Sequence, residues 1–227
     1  AWDVNVNGLH NVLEVGREFD LDRLVIPSSI AVYGESTPPQ PREETILTPS
    51  TMYGVSKVLT ELLAQYYYDR YDLDVRGVRF PGILSYKTRP GGGTTDYAVE
   101  AFYDAIEQGG YEYFVRPDTS LPMMYMPDAV RALLELAEAD EEDLRFRCSY
   151  NVGALSFTAE ELSATIRDHL PEFEATYEPD ERQAIADSWP AELDDSAARA
   201  DWGWEPEYGL AALTESMLTN LERKLSA

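Results

Sequence analysis

The stretch LVIPSS, residues 24–29, begins with three branched apolar side chains and ends with two serines. Short apolar runs of this kind are typical of buried parallel strands. Upstream, the apolar side chains of residues 9–19 recur at helical spacing. Downstream, residues 52–71 are predicted to form a long helix, and residues 75–80, VRGVRF, alternate as a second strand. This alternation of helix and strand predicts an α/β fold with a doubly wound parallel sheet covered by helices.

The rest of the chain has a less regular pattern. A proline-rich loop over residues 37–49 precedes the long helix, and Ser50 or Thr51 stands where an N-cap is expected. In the C-terminal part we expect a small mixed lobe beside the sheet. Its predicted helices cover residues 97–107, 128–139, 158–169 and 210–224, and its predicted strands lie near residues 123–126, 150–152 and 174–178.

The composition is strongly acidic. Asp and Glu number 42 against 18 Lys and Arg, which gives a formal net charge of −24. Such a chain repels phosphate backbones and anionic lipid headgroups, so we predict neither a nucleic-acid nor a membrane partner. Two explanations of the charge stay open: the solvated surface of an ordinary enzyme, or an adaptation to high salt.

Cysteine content and hydropathy favour a cytoplasmic location. Cys148 is the only cysteine, so no intrachain disulfide forms. No apolar run reaches the roughly 18 residues that a spanning helix needs, and no signal peptide follows Ala1. His10 and His169 have no acidic partners in register, so we assign no metal site.

Three polar side chains form a candidate catalytic group. Tyr53 and Lys57 lie four residues apart on the predicted long helix and therefore share a face. An ammonium near a phenol favours the phenolate, so we expect Lys57 to lower the pKa of Tyr53 and make it a general base. Ser29 follows the first strand, where open α/β sheets bind their ligands, and can donate a hydrogen bond to a substrate oxygen. A tyrosine packed beside a solvated lysine is the structural alternative.

These residues occur with further motifs in a characteristic order. The motifs are NVNG at residues 5–8, Ser29 followed by VYG at residues 32–34, YGVSK at residues 53–57 and RFPG at residues 79–82. In these segments the chain resembles the extended short-chain dehydrogenase/reductase superfamily. The resemblance implies a Rossmann-type fold, NAD as cofactor and a catalytic Ser29, Tyr53 and Lys57. It also implies that Asn5 orders the helix and a water behind Lys57.

The resemblance also implies where NAD lies. Tyr53 and Lys57 would contact its ribose, and the backbone at Pro81, Gly82 and Ile83 would lie beside the nicotinamide. The glycine-rich dinucleotide fingerprint is not found in the sequence, which leads us to expect that the opening strands of the sheet precede Ala1.

This resemblance divides the chain into two parts. Residues 1–90 would be the C-terminal half of the NAD-binding domain, and residues 91–227 would be mainly a substrate-binding lobe. Residues 123–140 would return from that lobe to the Rossmann core.

Finer segments resemble one group within the superfamily, the short-chain-type L-threonine 3-dehydrogenases. They occupy residues 90–98, 122–126, 177–180, 182–190 and 194–202. The resemblance implies NAD-dependent oxidation of L-threonine to 2-amino-3-ketobutyrate. For that substrate, Thr94 and Thr95 offer donors, Asp96 offers an acceptor to the ammonium, and Trp189 is a candidate pocket wall. A loop that only caps the next helix, and a tryptophan that belongs to the core, are the alternatives.

Other functions stay open on the sequence alone. A nucleotide-sugar epimerase or dehydratase would share the Ser-Tyr-Lys site, although the chain offers few basic groups for a diphosphate. A non-catalytic fragment that is unable to bind NAD alone is the alternative of another class, because its exposed sheet edge would invite pairing with another chain. The resemblance further implies a homodimer formed through helices that include the one bearing Tyr53.

Overall fold

The computed structural model describes residues 1–226, and its first half has the predicted alternation of helix and strand. A π-helical turn over Trp2–Asn7 continues into helix α1, Gly8–Glu18, which is followed by strand β1, Leu24–Ser29. A 3-10 turn, Ile30–Val32, and a long loop lead to helix α2, Met52–Tyr71, and then to strand β2, Val75–Phe80. Helix α2 and strand β2 have the bounds that the sequence predicts.

The second half is mixed, as expected, but contains more elements than the sequence predicts. In chain order they are β3 (Gly82–Leu84), α3 (Tyr97–Glu107), β4 (Gly110–Tyr113), β5 (Ser120–Tyr125), α4 (Met126–Glu138), a 3-10 turn (Glu141–Asp143), β6 (Tyr150–Asn151), β7 (Leu155–Thr158), α5 (Ala159–His169), β8 (Glu174–Tyr177), α6 (Arg182–Asp187), α7 (Ser196–Trp202) and α8 (Leu210–Leu225). Strands β3, β4 and β7 and helices α6 and α7 were not predicted, because three to seven residues are too few to establish a periodicity.

The strands form three small sheets. β1, β2 and β6 are parallel neighbours, and β2 lies between the other two. β3 pairs in parallel with β5, which pairs antiparallel with β7, while β4 and β8 form a parallel pair. Ser29 is the register partner of Phe80, so the carboxyl ends of β1 and β2 meet at one edge. Polar groups that follow these two strands are therefore brought together.

The start of α2 is fixed closely against the end of β1. The Thr51 side chain caps the helix by accepting a hydrogen bond from the Gly54 N–H at 3.0 Å. A Cβ on Gly54 would lie 2.0 Å from the carbonyl oxygen of Ala31, so only glycine allows this approach. The contact places the first turn of α2 against the turn that follows Ser29.

Among the described residues, buried apolar side chains form a large cluster in the lobe and smaller separate clusters around β1 and β2. Met123 and Met124 of β5 are fully buried. Helix α5 begins with a capping box, in which Thr158 and Glu161 satisfy each other's backbone N–H groups. Between residues 1 and 226, no helix is both long and apolar enough to cross a membrane.

Candidate active site

A cleft of about 630 Å³ opens where the carboxyl ends of β1 and β2 meet the lobe. Most of the predicted site residues line it, from both parts of the chain. They are Ser29, Tyr53 and Lys57, the stretch Pro81, Gly82 and Ile83, and Thr94, Thr95 and Trp189. Residues that are up to 160 positions apart in sequence thus share one cavity, which is the arrangement that a substrate and a cofactor together require.

Tyr53 and Lys57 lie on the same face of α2. The Lys57 Nζ lies 5.7 Å from the centroid of the Tyr53 ring and donates a hydrogen bond to the Pro27 carbonyl oxygen at 2.8 Å. The Tyr53 side chain lines the cleft, so a ligand in the cleft can reach it. The predicted pairing is therefore present, but the lysine ammonium is held by the end of β1 rather than by the phenol.

Burial affects the ionisation of both members of the pair. Burial raises the pKa of Tyr53 above its ordinary value, and the neighbouring Ser29 hydroxyl is the group that opposes this rise. Burial also lowers the pKa of Lys57, while the negative charge of Glu61 raises it. Lys57 is bonded to Pro27 and desolvation of the phenol dominates, so the lowering of the Tyr53 pKa by Lys57 stays a prediction.

Asn5 lies behind the pair and does not line the cleft. Its Nδ2 donates to the Ser56 Oγ at 2.8 Å, and Ser56 in turn donates to the Tyr53 carbonyl oxygen at 2.6 Å. Asn5 and Lys57 both line a second groove, which is bounded by α1, β1 and α2. Asn5 thus ties the N-terminal turn to the helix that carries Tyr53, and its role in ordering a water behind Lys57 stays a prediction.

The glycine-rich loop before α3 presents two of its three predicted substrate residues. Thr94 and Thr95 line the cleft, while the Asp96 carboxylate accepts hydrogen bonds from the N–H groups of Gly92 and Gly93 at 2.8 and 2.5 Å. Gly92 has a φ of +103°, a conformation that favours glycine. Asp96 therefore stabilises the conformation of its own loop, and it does not line the cleft.

Comparison with known proteins agrees with this geometry. Residues 1–153 match the model of the NAD dependent epimerase/dehydratase family. The chain belongs to this family. It is 52% identical over 220 residues to the mitochondrial L-threonine 3-dehydrogenase of Bos taurus, covering 96% of the chain and 58% of the bovine protein.

Two solved structures of L-threonine dehydrogenases are also similar to the present chain, in both sequence and fold. A GalE-like L-threonine dehydrogenase from Cupriavidus necator superposes with a TM-score of 0.94 at 50% identity, covering 97% of this chain and 80% of the other. A monomeric L-threonine 3-dehydrogenase from a metagenome gives a TM-score of 0.94 at 48% identity, covering 98% and 72%. The Rossmann-type α/β fold predicted from the sequence is thereby confirmed.

The cleft residues of this family member fit the nicotinamide end of NAD. The Tyr53 hydroxyl and the Lys57 ammonium are donors of the kind that ribose hydroxyls require, and both line the cleft. The backbone of Pro81 and Gly82 is buried along the same cleft at the end of β2. By contrast, among residues 1–226 no group of three or more His, Cys, Asp or Glu side chains is placed to hold a metal ion.

A buried ion pair beneath the cleft was not predicted. Arg79 on β2 donates to both carboxylate oxygens of Glu61 at 3.0 and 2.8 Å, and Ser28 donates to Glu61 at 2.5 Å. Arg79 also donates to the Tyr33 hydroxyl at 2.9 Å. The signal was available in the sequence: an arginine within a buried strand requires a partner, and Glu61 follows Lys57 by one helical turn.

The lobe contributes one more charged residue that the sequence analysis missed. Arg182, at the start of α6, lines the cleft together with Ile185 and Trp189 of the same segment. Its guanidinium donates to both Asp180 carboxylate oxygens and stacks on the Phe114 ring. The indole N–H of Trp189 is buried and has no hydrogen-bond partner within residues 1–226. In the sequence, only the resemblance of residues 182–190 to the L-threonine 3-dehydrogenases indicated that this segment lines the cleft.

Proposed function

We propose that the complete enzyme oxidises L-threonine to 2-amino-3-ketobutyrate with NAD as hydride acceptor. The observation that supports this most directly is the single cleft that joins Ser29, Tyr53 and Lys57 to Thr94 and Thr95. The identity of about 50% to L-threonine dehydrogenases supports the substrate assignment. Since the chain spans 58% of the bovine relative, the activity is proposed for the whole protein.

Each residue has a distinct proposed role in this reaction. Tyr53 takes the proton of the substrate hydroxyl, while the hydrogen on the same carbon leaves as hydride to NAD and the carbon becomes a ketone. Ser29 donates a hydrogen bond to the reacting oxygen and favours the ionised tyrosine. Lys57 holds the ribose of NAD, and Thr94 and Thr95 hold the amino acid.

Deuterium labelling tests the reaction and separates it from the nucleotide-sugar alternative. L-Threonine deuterated at C3 should yield NADH that carries the deuterium, detected by mass spectrometry, because the C3 hydrogen is the one transferred. UDP-glucose and dTDP-glucose should give no turnover in parallel reactions. Conversion of either sugar nucleotide without threonine oxidation would establish the epimerase or dehydratase function instead.

We also propose that the enzyme acts in the cytoplasm as a homodimer whose acidic surface suits high salt. The exposed apolar side chains of α1 and α2, among them Val15 and Leu62, support pairing through these helices. The lone buried Cys148 suits a reducing compartment, and the net charge of −24 supports salt adaptation. The division at residue 90 is likewise a proposal, and the packing of α4 against β1 and β2 supports the return of residues 123–140 to the Rossmann core.

A further inference from the structure

The charged side chains that line the cleft are cations, although the chain as a whole is acidic. The sequence has a formal net charge of −24, yet the described residues that line the cleft include two cations, Lys57 and Arg182, and no Asp or Glu. The nearby carboxylates are turned to other partners: Asp96 binds its own loop, Asp180 binds Arg182, and Glu61 binds Arg79. A cleft lined by one sign of charge attracts ligands of the opposite sign.

The two cations that line the cleft come from different parts of the chain. Lys57 belongs to α2 beside Tyr53 and is bonded to the Pro27 carbonyl. Arg182 belongs to the lobe, on the wall that also carries Ile185 and Trp189. The lobe cation is therefore the one available to a part of the substrate that does not react.

Arg182 is held in place without using all of its donors. Its Nε and Nη2 donate to Asp180, whereas Nη1 makes no hydrogen bond within residues 1–226. Stacking of the guanidinium on Phe114 further restricts the side chain. A guanidinium that is fixed in advance and keeps free N–H groups is suited to bind a carboxylate, because little conformational entropy is lost on binding.

We propose that Arg182 binds the α-carboxylate of the substrate and makes the enzyme specific for 2-amino-3-hydroxy acids over amino alcohols. This inference rests on the proposed function, since it assigns the non-reacting end of the same substrate. The carboxylate lies against the lobe wall, while the hydroxyl to be oxidised lies against Tyr53 and Ser29. Arg182 is thus a specificity-determining residue that does not take part in proton transfer.

The test compares L-threonine with 1-aminopropan-2-ol, in which a hydrogen replaces the carboxylate and the hydroxyl, methyl and ammonium groups remain. The alcohol is used as a substrate or as a competitive inhibitor of threonine oxidation. In the holoenzyme, Arg182→Gln should lower kcat/KM for L-threonine by about 10- to 100-fold, mainly through KM. Binding of 1-aminopropan-2-ol and the KM for NAD should change by less than about twofold.

A matched control is Arg116→Gln. Arg116 also pairs with an aspartate, Asp187 of α6, but it does not line the cleft. This variant should keep the wild-type preference for L-threonine. If Arg182→Gln does not fold, Arg182→Lys replaces it and should show a smaller loss confined to L-threonine, because lysine keeps the charge without the planar fork.

Two outcomes would overturn the inference. Equal losses for L-threonine and 1-aminopropan-2-ol would show that Arg182 only supports the lobe. A raised KM for NAD with an unchanged KM for L-threonine would assign the arginine to the cofactor. Either result with a wild-type enzyme that oxidises threonine leaves the proposed function intact, whereas a wild type that oxidises no threonine refutes the proposed function itself.

Discussion

At the scale of single residues, the site depends on what each polar group is bonded to. The Lys57 ammonium is bound to the Pro27 carbonyl, and the Ser29 hydroxyl is the group that opposes the rise of the Tyr53 pKa caused by burial. The spacing of Tyr53 and Lys57 therefore predicted which side chains meet, but not which of their neighbours controls the phenol. The Lys57 amine donates its hydrogen bond to the Pro27 carbonyl of β1 and not to the phenol, and the sequence spacing does not predict this contact.

The pH dependence of turnover tests this view of Ser29. Tyr53 acts as a base only when it is deprotonated, so the rate rises as pH approaches its pKa. Ser29→Ala removes the group that opposes the raised pKa, so the pKa rises further and the deprotonated fraction at a given pH falls. We expect the ascending limb of the kcat–pH profile to move to higher pH.

The matched control for this profile is Ser36→Ala, at an exposed serine of the long loop that does not line the cleft. Its profile should coincide with that of the wild type. A limb for Ser29→Ala that stays in place, or that moves to lower pH, would refute the role given to Ser29.

At the scale of elements, the site depends on how closely α2 approaches the end of β1. Gly54 permits that approach, because the carbonyl oxygen of Ala31 occupies the space that a Cβ would need. The Glu61–Arg79 ion pair then joins the middle of α2 to β2. A helix and two strands are thus fixed together at the point where Tyr53, Lys57 and Ser29 meet.

Gly54→Ala should therefore damage both stability and activity. A Cβ 2.0 Å from a backbone oxygen forces α2 away from β1, and we expect a loss of about 1–3 kcal/mol in the free energy of unfolding. Denaturant unfolding measures the loss, and kcat should fall with it. Gly209→Ala is the control, since its added Cβ has no neighbour within 4 Å and its φ of −81° suits alanine. Equal stability of the two variants would contradict the packing argument.

At the scale of the whole molecule, regular patterns in the sequence predicted the α/β framework well. The bounds of α2, β2 and α3 agree with the structure because each has a strong periodicity or a clear cap. The short strand β3 was missed, since Pro81 separates it from β2 by a single residue and both are buried. Helix α4 begins at Met126 rather than at Asp128, because Pro127 is tolerated in a first helical turn.

The site was predictable only in part, for a related reason. Motif spacing identified Ser29, Tyr53 and Lys57, which lie close together in the folded chain. Arg182 and Glu61 escaped notice because their roles depend on tertiary contacts with Asp180 and Arg79. Asp96 was assigned to the substrate by its chemistry, whereas its carboxylate binds the amides of its own loop.

The central claim is that Tyr53 is the base of a cleft built for amino-acid oxidation, and the Tyr53→Phe variant tests it most directly. Threonine-dependent NADH formation by the holoenzyme should fall about 100- to 10,000-fold, while circular dichroism shows an unchanged fold. Tyr66→Phe, at a half-exposed tyrosine of the same helix, should retain wild-type turnover. Wild-type turnover by the Tyr53→Phe enzyme would contradict the account.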